Sequence, residues 1–234
     1  QTFDELTAWP GSCRFESTAG ACTPFVAAVQ RLANARDEVR LWEGTMSGTL
    51  GFLSTGLSDG KPFSKVLREA IDGGYTEPDC REDLSGMDVA RKAVILSRVL
   101  GHRVELADLD VQALFPDHLR DVPHDEFVER VCGAGELDEA MLNLAKEASS
   151  EGGVLQYMAS RQMGEEIDVG MGIVDKKTPL GQLRGTANMI QLYTEHFKDS
   201  PLVIQGCGAG GDPTAAGMLA DIIELAHTAP PPRR

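Results

Sequence analysis

A glycine run near the end of the chain is the feature that most limits its fold. Residues 206–211 read Gly-Cys-Gly-Ala-Gly-Gly and stand between a predicted strand at 201–205 and a predicted helix at 213–226. They match GxGxxG, in which a backbone without side chains approaches a pyrophosphate at a helix N-terminus. A complete dinucleotide-binding fold needs a further strand with a ribose-binding acid about 20 residues later, and the chain ends too soon for it. The run therefore predicts one wall of a nucleotide site whose main body lies elsewhere, and a tight turn is the alternative.

Hydrophobic spacing along the chain predicts mixed α and β structure, with a sheet covered by helices. Strands are expected at 14–18, 38–46, 154–159, 167–174, 189–194 and 201–205, the later ones forming a second sheet edge or meander. Helices are expected at 24–35, 47–57, 62–71, 84–100, 123–131, 137–149 and 213–226. Thr23 is the predicted cap of the first helix, Pro24 occupies its first turn, and Gly101 ends the helix at 84–100. Residues 73–83 are expected to form a loop.

Charge and composition exclude several classes of partner. The chain has 22 Lys and Arg against 36 Asp and Glu, a formal net charge of −14, and no basic cluster suited to a phosphate backbone. Nucleic acid and membrane are therefore not expected as partners. No apolar segment approaches the roughly 20 residues of a membrane span, so we expect a soluble protein.

Cysteines and histidines show no metal or disulfide pattern. The five cysteines have no CxxC spacing, and reduced thiols are expected. The five histidines lack HExxH spacing or pairing with a carboxylate, and surface positions are expected for them.

An acidic loop, residues 77–83, leads into a helix that carries Asp88 and Lys92. Residues four apart share a helix face, so this carboxylate and ammonium can meet. An ordinary surface pair would contribute only ~0.3–0.5 kcal/mol. The surrounding apolar residues instead indicate a rim or cleft, where a lysine near carboxylates can exchange a proton with a carbonyl or alcohol oxygen. Residue spacing alone does not favour either the surface pair or the proton-exchanging lysine.

A second glycine-rich segment, residues 43–51, runs from a predicted strand into a helix start. Its backbone amides can hold an anion such as a substrate carboxylate. Close packing of helix on strand explains its glycines equally well.

Taken together, these segments resemble homoserine dehydrogenase. The resemblance rests on Glu43-Gly-Thr-Met-Ser-Gly-Thr-Leu50, on residues 74–92 (GYTEPDCREDLSGMDVARK), and on residues 206–210 with Thr214-Ala-Ala-Gly217, in the family's order. It covers roughly residues 13–227, and the central segment is the most specific. The chain departs from the usual pattern at Cys80, Glu82 and Cys22, where the family has proline, aspartate and glycine.

The resemblance implies an NAD(P)-dependent oxidoreductase that interconverts L-aspartate 4-semialdehyde and L-homoserine, on the way to threonine, methionine and isoleucine. Lys92 would be the catalytic acid/base, with Asp88 positioning it or the substrate. Glu77 and Asp83 would bind the substrate amino group, and Tyr75, Gly48 and Thr49 would complete the pocket. The implied cofactor residues are Gly208, Gly210 and Thr18. A structural sodium ion would be bound by the Glu16 carboxylate and the backbone carbonyls of Ala19, Ala21 and Thr23.

The same resemblance implies a domain plan in which the family's N-terminal nucleotide-binding domain is missing. Residues 1–23 would be a remnant of that domain and a hinge, 24–200 the catalytic and substrate domain with its dimerisation sheet, 201–228 a return to the absent Rossmann domain, and 229–234 a disordered tail. The chain, which opens on Gln1, is expected to be truncated. The stretches at 211–217 and 154–157 resemble the bifunctional aspartokinase–homoserine dehydrogenase version of the family. A homodimer is implied, in the cytoplasm, or in a plastid if a transit peptide lies upstream. The alternative function is a dimerisation or regulatory module without turnover.

Overall fold

Six strands form one mixed sheet at the centre of the fold. They are β1 (Val39–Thr45), β2 (Asp110–Val111), β3 (Gly153–Gln162), β4 (Asp168–Asp175), β5 (Ala187–Thr194) and β6 (Leu202–Cys207). Their order is β2-β4-β3-β1-β5-β6. Every neighbouring pair is antiparallel except β2 and β4, which are parallel. The computed structural model describes Glu5, residues 13–133 and residues 135–228.

Nine α-helices are present in these described residues. They are α1 (Phe25–Ala35), α2 (Gly48–Ser58), α3 (Phe63–Asp72), α4 (Cys80–Leu84), α5 (Met87–Val99), α6 (His124–Gly133), α7 (Gly135–Ser150), α8 (Pro179–Gln182) and α9 (Gly211–Thr228). Short 3-10 helices occur at Glu16–Thr18, Leu106–Asp108 and Asp117–Leu119. The predicted α/β class is confirmed.

The local sequence of helix α2 explains why its N-terminus lies at the end of β1. The side chain of Ser47 accepts a hydrogen bond from the Leu50 amide at 3.2 Å, which satisfies one unpaired donor of the helix N-terminus. Leu50, Leu53 and Leu57 are fully buried, as their helical spacing predicts. The apolar stripe therefore fixes α2 on the core while its first turn stays at the end of β1.

The two faces of the sheet differ. One face carries the main core, where Trp42, Tyr157 and Ile190 pack among buried side chains of the helices. The other face has a smaller core, in which Leu180 of α8 packs with Met189 and two other buried side chains. Next to this smaller core lies a partly exposed region, which we call the open face, made of Leu41, Glu43, Met158, Ser160 and Tyr193.

Several sequence expectations are wrong in detail. Strands β3 to β5 do not form a second sheet, because β1 pairs with both β3 and β5. The segment 14–18 is not a strand and contains the 3-10 helix Glu16–Thr18. Pro24, not Thr23, is the N-cap residue of α1. The Thr23 hydroxyl instead donates to the Cys207 carbonyl oxygen at 3.0 Å, joining the start of α1 to the end of β6.

The helix predicted at 84–100 is α5, which begins three residues later than predicted, and residues 80–84, of which 80–83 were predicted as loop, form the separate short helix α4. Gly86 separates them because its φ of +70° lies in the left-handed region, which glycine adopts without a steric penalty. Apolar spacing continues across this break, so the pattern alone did not reveal it.

One histidine is paired with a carboxylate, contrary to expectation. His196 Nδ1 lies 2.8 Å from Oδ1 of Asp37, a buried residue just before β1. The five cysteines carry free thiols. Within the described residues no helix combines the length and hydropathy needed to cross a bilayer. The predicted tail 229–234 and residues 1–4 and 6–12 of the predicted remnant lie outside the described residues.

Candidate active site

Asp83 joins three segments of the candidate site. Its Oδ2 accepts the Glu77 backbone N–H at 2.8 Å, and its Oδ1 lies 2.8 Å from the Thr49 hydroxyl. The same hydroxyl lies 2.6 Å from the Tyr75 carbonyl oxygen. Burial raises the pKa of Asp83, with a further increase from the nearby carboxylates of Asp88 and Glu82, while the Glu77 and Thr49 hydrogen bonds oppose the rise. The structure thus brings the predicted residues Thr49, Tyr75, Glu77 and Asp83 together around one carboxylate.

Lys92 lies on α5, one helical turn after Asp88. Its Nζ is 2.7 Å from Asp88 Oδ2 and 2.8 Å from the carbonyl oxygen of Met46, the residue after β1. The Lys92 side chain is 15% exposed, whereas that of Asp88 is 50% exposed. This pair therefore differs from an ordinary surface ion pair, because its lysine is held in the protein while its carboxylate faces solvent.

A cavity of about 120 Å³ lies between α2, α4 and α5. Its lining residues are Ser47, Leu50, Glu77, Glu82, Asp83, Asp88, Val89 and Arg91. Sequence reasoning named three of them and missed Ser47, Glu82 and Arg91. Glu82 stands in the same acidic loop as the predicted residues, and Arg91 directly precedes Lys92. Their positions next to predicted site residues could therefore have identified them.

A larger cavity of about 450 Å³ lies at the edge of the sheet near β2 and β4. It contains the carboxylates of Asp110 and Asp168 and the hydroxyl of Ser160, but no cationic side chain lines it. The smaller cavity is the candidate site, because Asp88, a carboxylate that lines it, holds the ammonium of Lys92.

Gly48 and Tyr75 border the site without lining the cavity. A Cβ on Gly48 would lie 3.4 Å from the Thr186 carbonyl oxygen, an ordinary van der Waals distance, whereas a Cβ on Gly51 would lie 2.8 Å from the Gly185 carbonyl oxygen. Tyr75 packs on Phe52 with ring centroids 4.8 Å apart, and it is 48% exposed. Close packing on the segment before β5 therefore explains Gly51, as one interpretation of residues 43–51 predicted, but it does not explain Gly48.

Arg81 holds the acidic helix α4 against the following chain. Its guanidinium pairs with Asp79, the N-cap residue of α4, and donates to the Val122 carbonyl oxygen at 2.5 Å. The guanidinium carbon also lies 5.1 Å from the ring centroid of Phe127. The hydrogen bond from Arg81 lowers the pKa of Asp79. These contacts fix the helix that carries Glu82 and Asp83.

The glycine run after β6 packs closely on its neighbours. A Cβ on Gly208 would lie 1.6 Å from Nδ2 of Asn188, and one on Gly206 would lie 2.3 Å from Oγ1 of Thr23. Asn188 is buried, and its Oδ1 has no hydrogen-bond partner among the described residues. Gly210 is exposed with a φ of +121°. The run is thus an exposed turn at the N-terminus of α9 with one unsatisfied polar atom beside it.

Thr18 and Glu16 lie beside α9 and α1. The Thr18 hydroxyl donates to the Phe15 carbonyl oxygen at 2.6 Å, and the Ser17 hydroxyl donates to the Thr214 carbonyl oxygen of α9 at 3.2 Å. Both carboxylate oxygens of Glu16 accept backbone N–H groups of α1, from Val26 and Ala27, at 2.8 Å each. Burial raises the pKa of Glu16 despite these two hydrogen bonds.

Comparison with known proteins identifies the family. Residues 24–223 match the family model described as homoserine dehydrogenase. The chain is 39% identical over 220 residues to homoserine dehydrogenase of Emericella nidulans, covering 90% of this chain and 60% of that protein. The Saccharomyces cerevisiae enzyme is 38% identical over 219 residues, with 91% and 60% covered. An Arabidopsis thaliana bifunctional aspartokinase/homoserine dehydrogenase named as chloroplastic is 39% identical over 220 residues, covering 91% of this chain and 23% of that protein.

Solved structures share the fold. A crystal structure of a Candida auris protein of unknown function superposes with a TM-score of 0.89 at 35% identity, covering 97% of this chain and 64% of that one. A hyperthermophilic archaeal homoserine dehydrogenase mutant in complex with NADPH gives a TM-score of 0.66 at 23% identity, with 94% and 57% covered. The chain spans about 60% of the length of its fungal relatives. The family match over most of the sequence, supported by these relatives, shows that this chain belongs to the homoserine dehydrogenase family.

Proposed function

We propose that this chain forms the substrate half of a homoserine dehydrogenase, which interconverts L-aspartate 4-semialdehyde and L-homoserine with NAD(P)H. The observation that carries the proposal is the position of Lys92, a largely buried ammonium beside an acidic cavity. A polar amino acid substrate needs carboxylates for its ammonium and a proton donor for its developing alkoxide. This arrangement supplies both.

Each proposed role follows from a contact. Lys92 donates a proton to the carbonyl oxygen during reduction and accepts it back during oxidation. Asp88 positions the lysine through their 2.7 Å contact. Glu77 and Asp83 receive the substrate ammonium, Thr49 orients Asp83, and Tyr75 closes the rim. Gly48, the first residue of α2, completes the pocket beside Thr49.

The proposed cofactor is NADP or NAD, which supplies or accepts the hydride when it is bound. The residues present fit one wall of a dinucleotide site, because the turn is half-buried at Gly208, exposed at Gly210 and leads into a helix N-terminus. The buried Asn188 Oδ1, which has no hydrogen-bond partner among the described residues, lies beside this turn. Thr18 lies in a 3-10 helix that packs against α9 and would border this wall.

The proposed domain plan is supported by α9. Its side chains Met218, Leu219, Ile222 and Ile223 form one stripe and are 48–60% exposed. An apolar stripe of this size is typical of a helix that packs on another part of a protein. We therefore propose that residues 24–200 are the catalytic and substrate domain, that 201–228 pack on a nucleotide-binding domain, and that 1–23 are a remnant of that domain and a hinge.

A sodium ion at residues 16–23 is also part of the proposal. The Glu16 oxygens each accept one N–H and keep a lone pair, and the carbonyls of Ala19, Ala21 and Thr23 add hard oxygen ligands. The described residues contain no cluster of three or more acidic, histidine or cysteine side chains that would hold a metal, so backbone carbonyls would provide most ligands. Titration with sodium chloride against choline chloride should raise the melting temperature of the chain but not that of Glu16→Gln.

The test of the enzymatic proposal uses this chain preceded by the N-terminal part of the Emericella nidulans relative. NADPH oxidation with aspartate semialdehyde should occur and should fall at least ~100-fold in Lys92→Ala, as expected for loss of an acid/base group. Lys65→Ala, a change to an exposed lysine of α3, is the matched control and should keep the rate. Retention of the full rate by Lys92→Ala would contradict the assigned role.

A second candidate function is a dimerisation or regulatory module without turnover. The open face favours it, because strands β1, β3 and β5 expose Leu41, Met158 and Tyr193 beside polar Glu43 and Ser160. We propose that a second copy of the chain covers this face in a homodimer, and that no nucleic acid or membrane takes part. Sedimentation of the chain with and without NADPH separates the candidates, since a dimer without nucleotide affinity favours the module. We propose the cytoplasm as the compartment, with the plastid as the alternative because plant relatives are named as chloroplastic.

A further inference from the structure

Helix α1 begins without a cap of its own. Its N-cap residue is Pro24, whose side chain has no hydrogen-bonding atom. The N–H groups of Val26 and Ala27 in its first turn donate to the two carboxylate oxygens of Glu16, at 2.8 Å each. A carboxylate at this position also interacts favourably with the positive end of the helix dipole. Glu16 therefore caps α1 from outside the helix, a role that the residue before a helix normally performs.

Helix α9 holds Glu16 in turn. Oδ2 of Asp221 accepts the backbone N–H of Glu16 at 3.0 Å. Gly217, one turn before Asp221, is buried, and a Cβ there would lie 2.3 Å from Oγ of Ser17 and 2.8 Å from the Ala21 carbonyl oxygen. One face of α9 therefore packs directly on the segment that contains Glu16.

The two helices joined by Glu16 lead to different parts of the protein. Val29 of α1 and Ala93 of α5 are buried in the same core, where these two helices pack together. Ala93 directly follows Lys92 on α5. The apolar stripe of α9 is exposed, and in the proposed domain plan it packs on a nucleotide-binding domain. A continuous series of contacts thus runs from α9 through Asp221 and Glu16 to α1, and from α1 to the helix of Lys92.

We propose that Asp221 is a positioning residue for the reaction, because it holds Glu16 as the cap of α1, and α1 supports the helix that carries Lys92. This inference rests on the proposed function, in which Lys92 is the acid/base. Asp221 touches neither substrate nor cofactor. Its loss therefore affects proton transfer at Lys92 more than it affects substrate binding by Thr49 and Asp83, which lie on α2 and α4.

Amide hydrogen exchange in the 234-residue chain, followed by NMR, tests these contacts without catalysis. Asp221→Ala should speed exchange of the Val26 and Ala27 amides about three- to tenfold, because the hydrogen bond that orders their acceptor is lost. Asp221→Asn keeps an oxygen that can accept the Glu16 N–H, and it should exchange nearly like the wild type. Choline chloride replaces sodium chloride throughout, so that the proposed sodium ion does not contribute.

Two further variants test the route of the effect. Glu224→Gln removes one negative charge about a turn later on α9, where the carboxylate pairs with Arg14 near the surface, and it should leave the exchange of both amides unchanged. Glu16→Ala should speed their exchange at least as much as Asp221→Ala does. Adding Asp221→Ala to Glu16→Ala should produce no further increase, because Asp221 acts through Glu16.

The effect on the reaction is measured in the hybrid protein, in which the N-terminal part of the Emericella nidulans relative precedes this chain. The rate is expressed per NADPH-binding site, titrated by NADPH fluorescence, so that unfolded protein is not counted. Asp221→Ala should lower kcat about three- to tenfold with the homoserine KM unchanged, since a displaced acid/base group slows proton transfer. Asp221→Asn should restore kcat, and Glu224→Gln should keep the wild-type kcat and KM.

Unchanged exchange of Val26 and Ala27 in Asp221→Ala would overturn the proposal. A further increase in the double variant would also overturn it, because Asp221 would then act on α1 without Glu16. Faster exchange with an unchanged kcat would overturn the positioning role in the reaction. Failure of the proposed function gives a different result, because the wild-type hybrid would then not oxidise NADPH with aspartate semialdehyde, while the exchange of Val26 and Ala27 would still respond to Asp221→Ala.

Discussion

The ammonium of Lys92 lies 2.7 Å from Oδ2 of Asp88, one turn earlier on α5. A lysine has three N–H donors, and the Met46 carbonyl oxygen accepts a second one at 2.8 Å. One donor therefore remains for a substrate oxygen. The strand end at Met46 and the helix face at Asp88 together fix the lysine, so the geometry of the reaction depends on how β1 and α5 pack.

Replacement of Asp88 by asparagine should lower kcat with little change in the homoserine KM. Asparagine keeps the shape of the side chain but removes the charge that holds the Lys92 ammonium. We expect about a tenfold to hundredfold loss of kcat, measured in the protein that carries a nucleotide-binding domain ahead of this chain. Asp88→Glu should recover part of the rate. A rise in KM alone would show that Asp88 binds substrate and does not position the lysine.

Removal of the Thr49 hydroxyl should weaken substrate binding. Thr49→Val keeps the volume of the side chain while Asp83 loses a hydrogen-bond donor to its charged form, which raises its pKa further. The lost bond should cost about 1–2 kcal/mol in free energy of unfolding, measured by urea denaturation. The homoserine KM should rise several-fold with kcat less affected. An unchanged KM would show that Asp83 does not bind the substrate ammonium.

The contact of the site that residue spacing predicted joins residues that are close together in the sequence. Asp88 and Lys92 lie one turn apart, so helical geometry alone places them together. The contact of Thr49 with Asp83 spans 34 residues and depends on the packing of α2 against α4. The resemblance to a family implied that both residues belong to one substrate pocket, whereas residue spacing did not.

The errors in fold also have physical causes. Gly86 separates the short helix α4 from α5 through a positive φ that apolar periodicity does not record. The later strands join the sheet of β1 through pairing between distant segments, such as Trp42 with Leu192. Pairing partners of this kind are set by tertiary packing, and a period-2 pattern specifies only that a strand exists. Arg81 was missed because its contacts with Val122 and Phe127 reach across the loop to a distant segment.

Gly86→Ala should be strongly destabilising. A Cβ there would lie 1.9 Å from the hydroxyl oxygen of Tyr157, which donates to the Gln112 carbonyl oxygen at 2.6 Å. Steric overlap adds to the backbone cost of a left-handed alanine, so we expect a loss of about 2–4 kcal/mol in free energy of unfolding by urea denaturation.

Two variants separate these contributions to the Gly86→Ala loss. Gly101→Ala has a similar φ of +89° with nothing within 4 Å of its added Cβ, and it should show only the backbone cost of about 1 kcal/mol. Adding Tyr157→Phe to Gly86→Ala should recover part of the loss in a double-mutant cycle. Strict additivity of the two changes would argue against the steric explanation.

The pair of His196 and Asp37 should make stability depend on pH. The hydrogen bond and charge of Asp37 raise the pKa of His196 above its ordinary value near 6.5. The folded state then binds a proton more tightly than the unfolded state, so the pair stabilises fully below pH ~6.5 and loses this contribution as pH rises through the folded pKa. The melting temperature of the wild type should exceed that of His196→Gln at pH 6, and the difference should shrink by pH 9. His118→Gln, a change in a 3-10 helix remote from Asp37, is the control. A difference between wild type and His196→Gln that stays constant from pH 6 to 9 would contradict a protonated histidine in the pair.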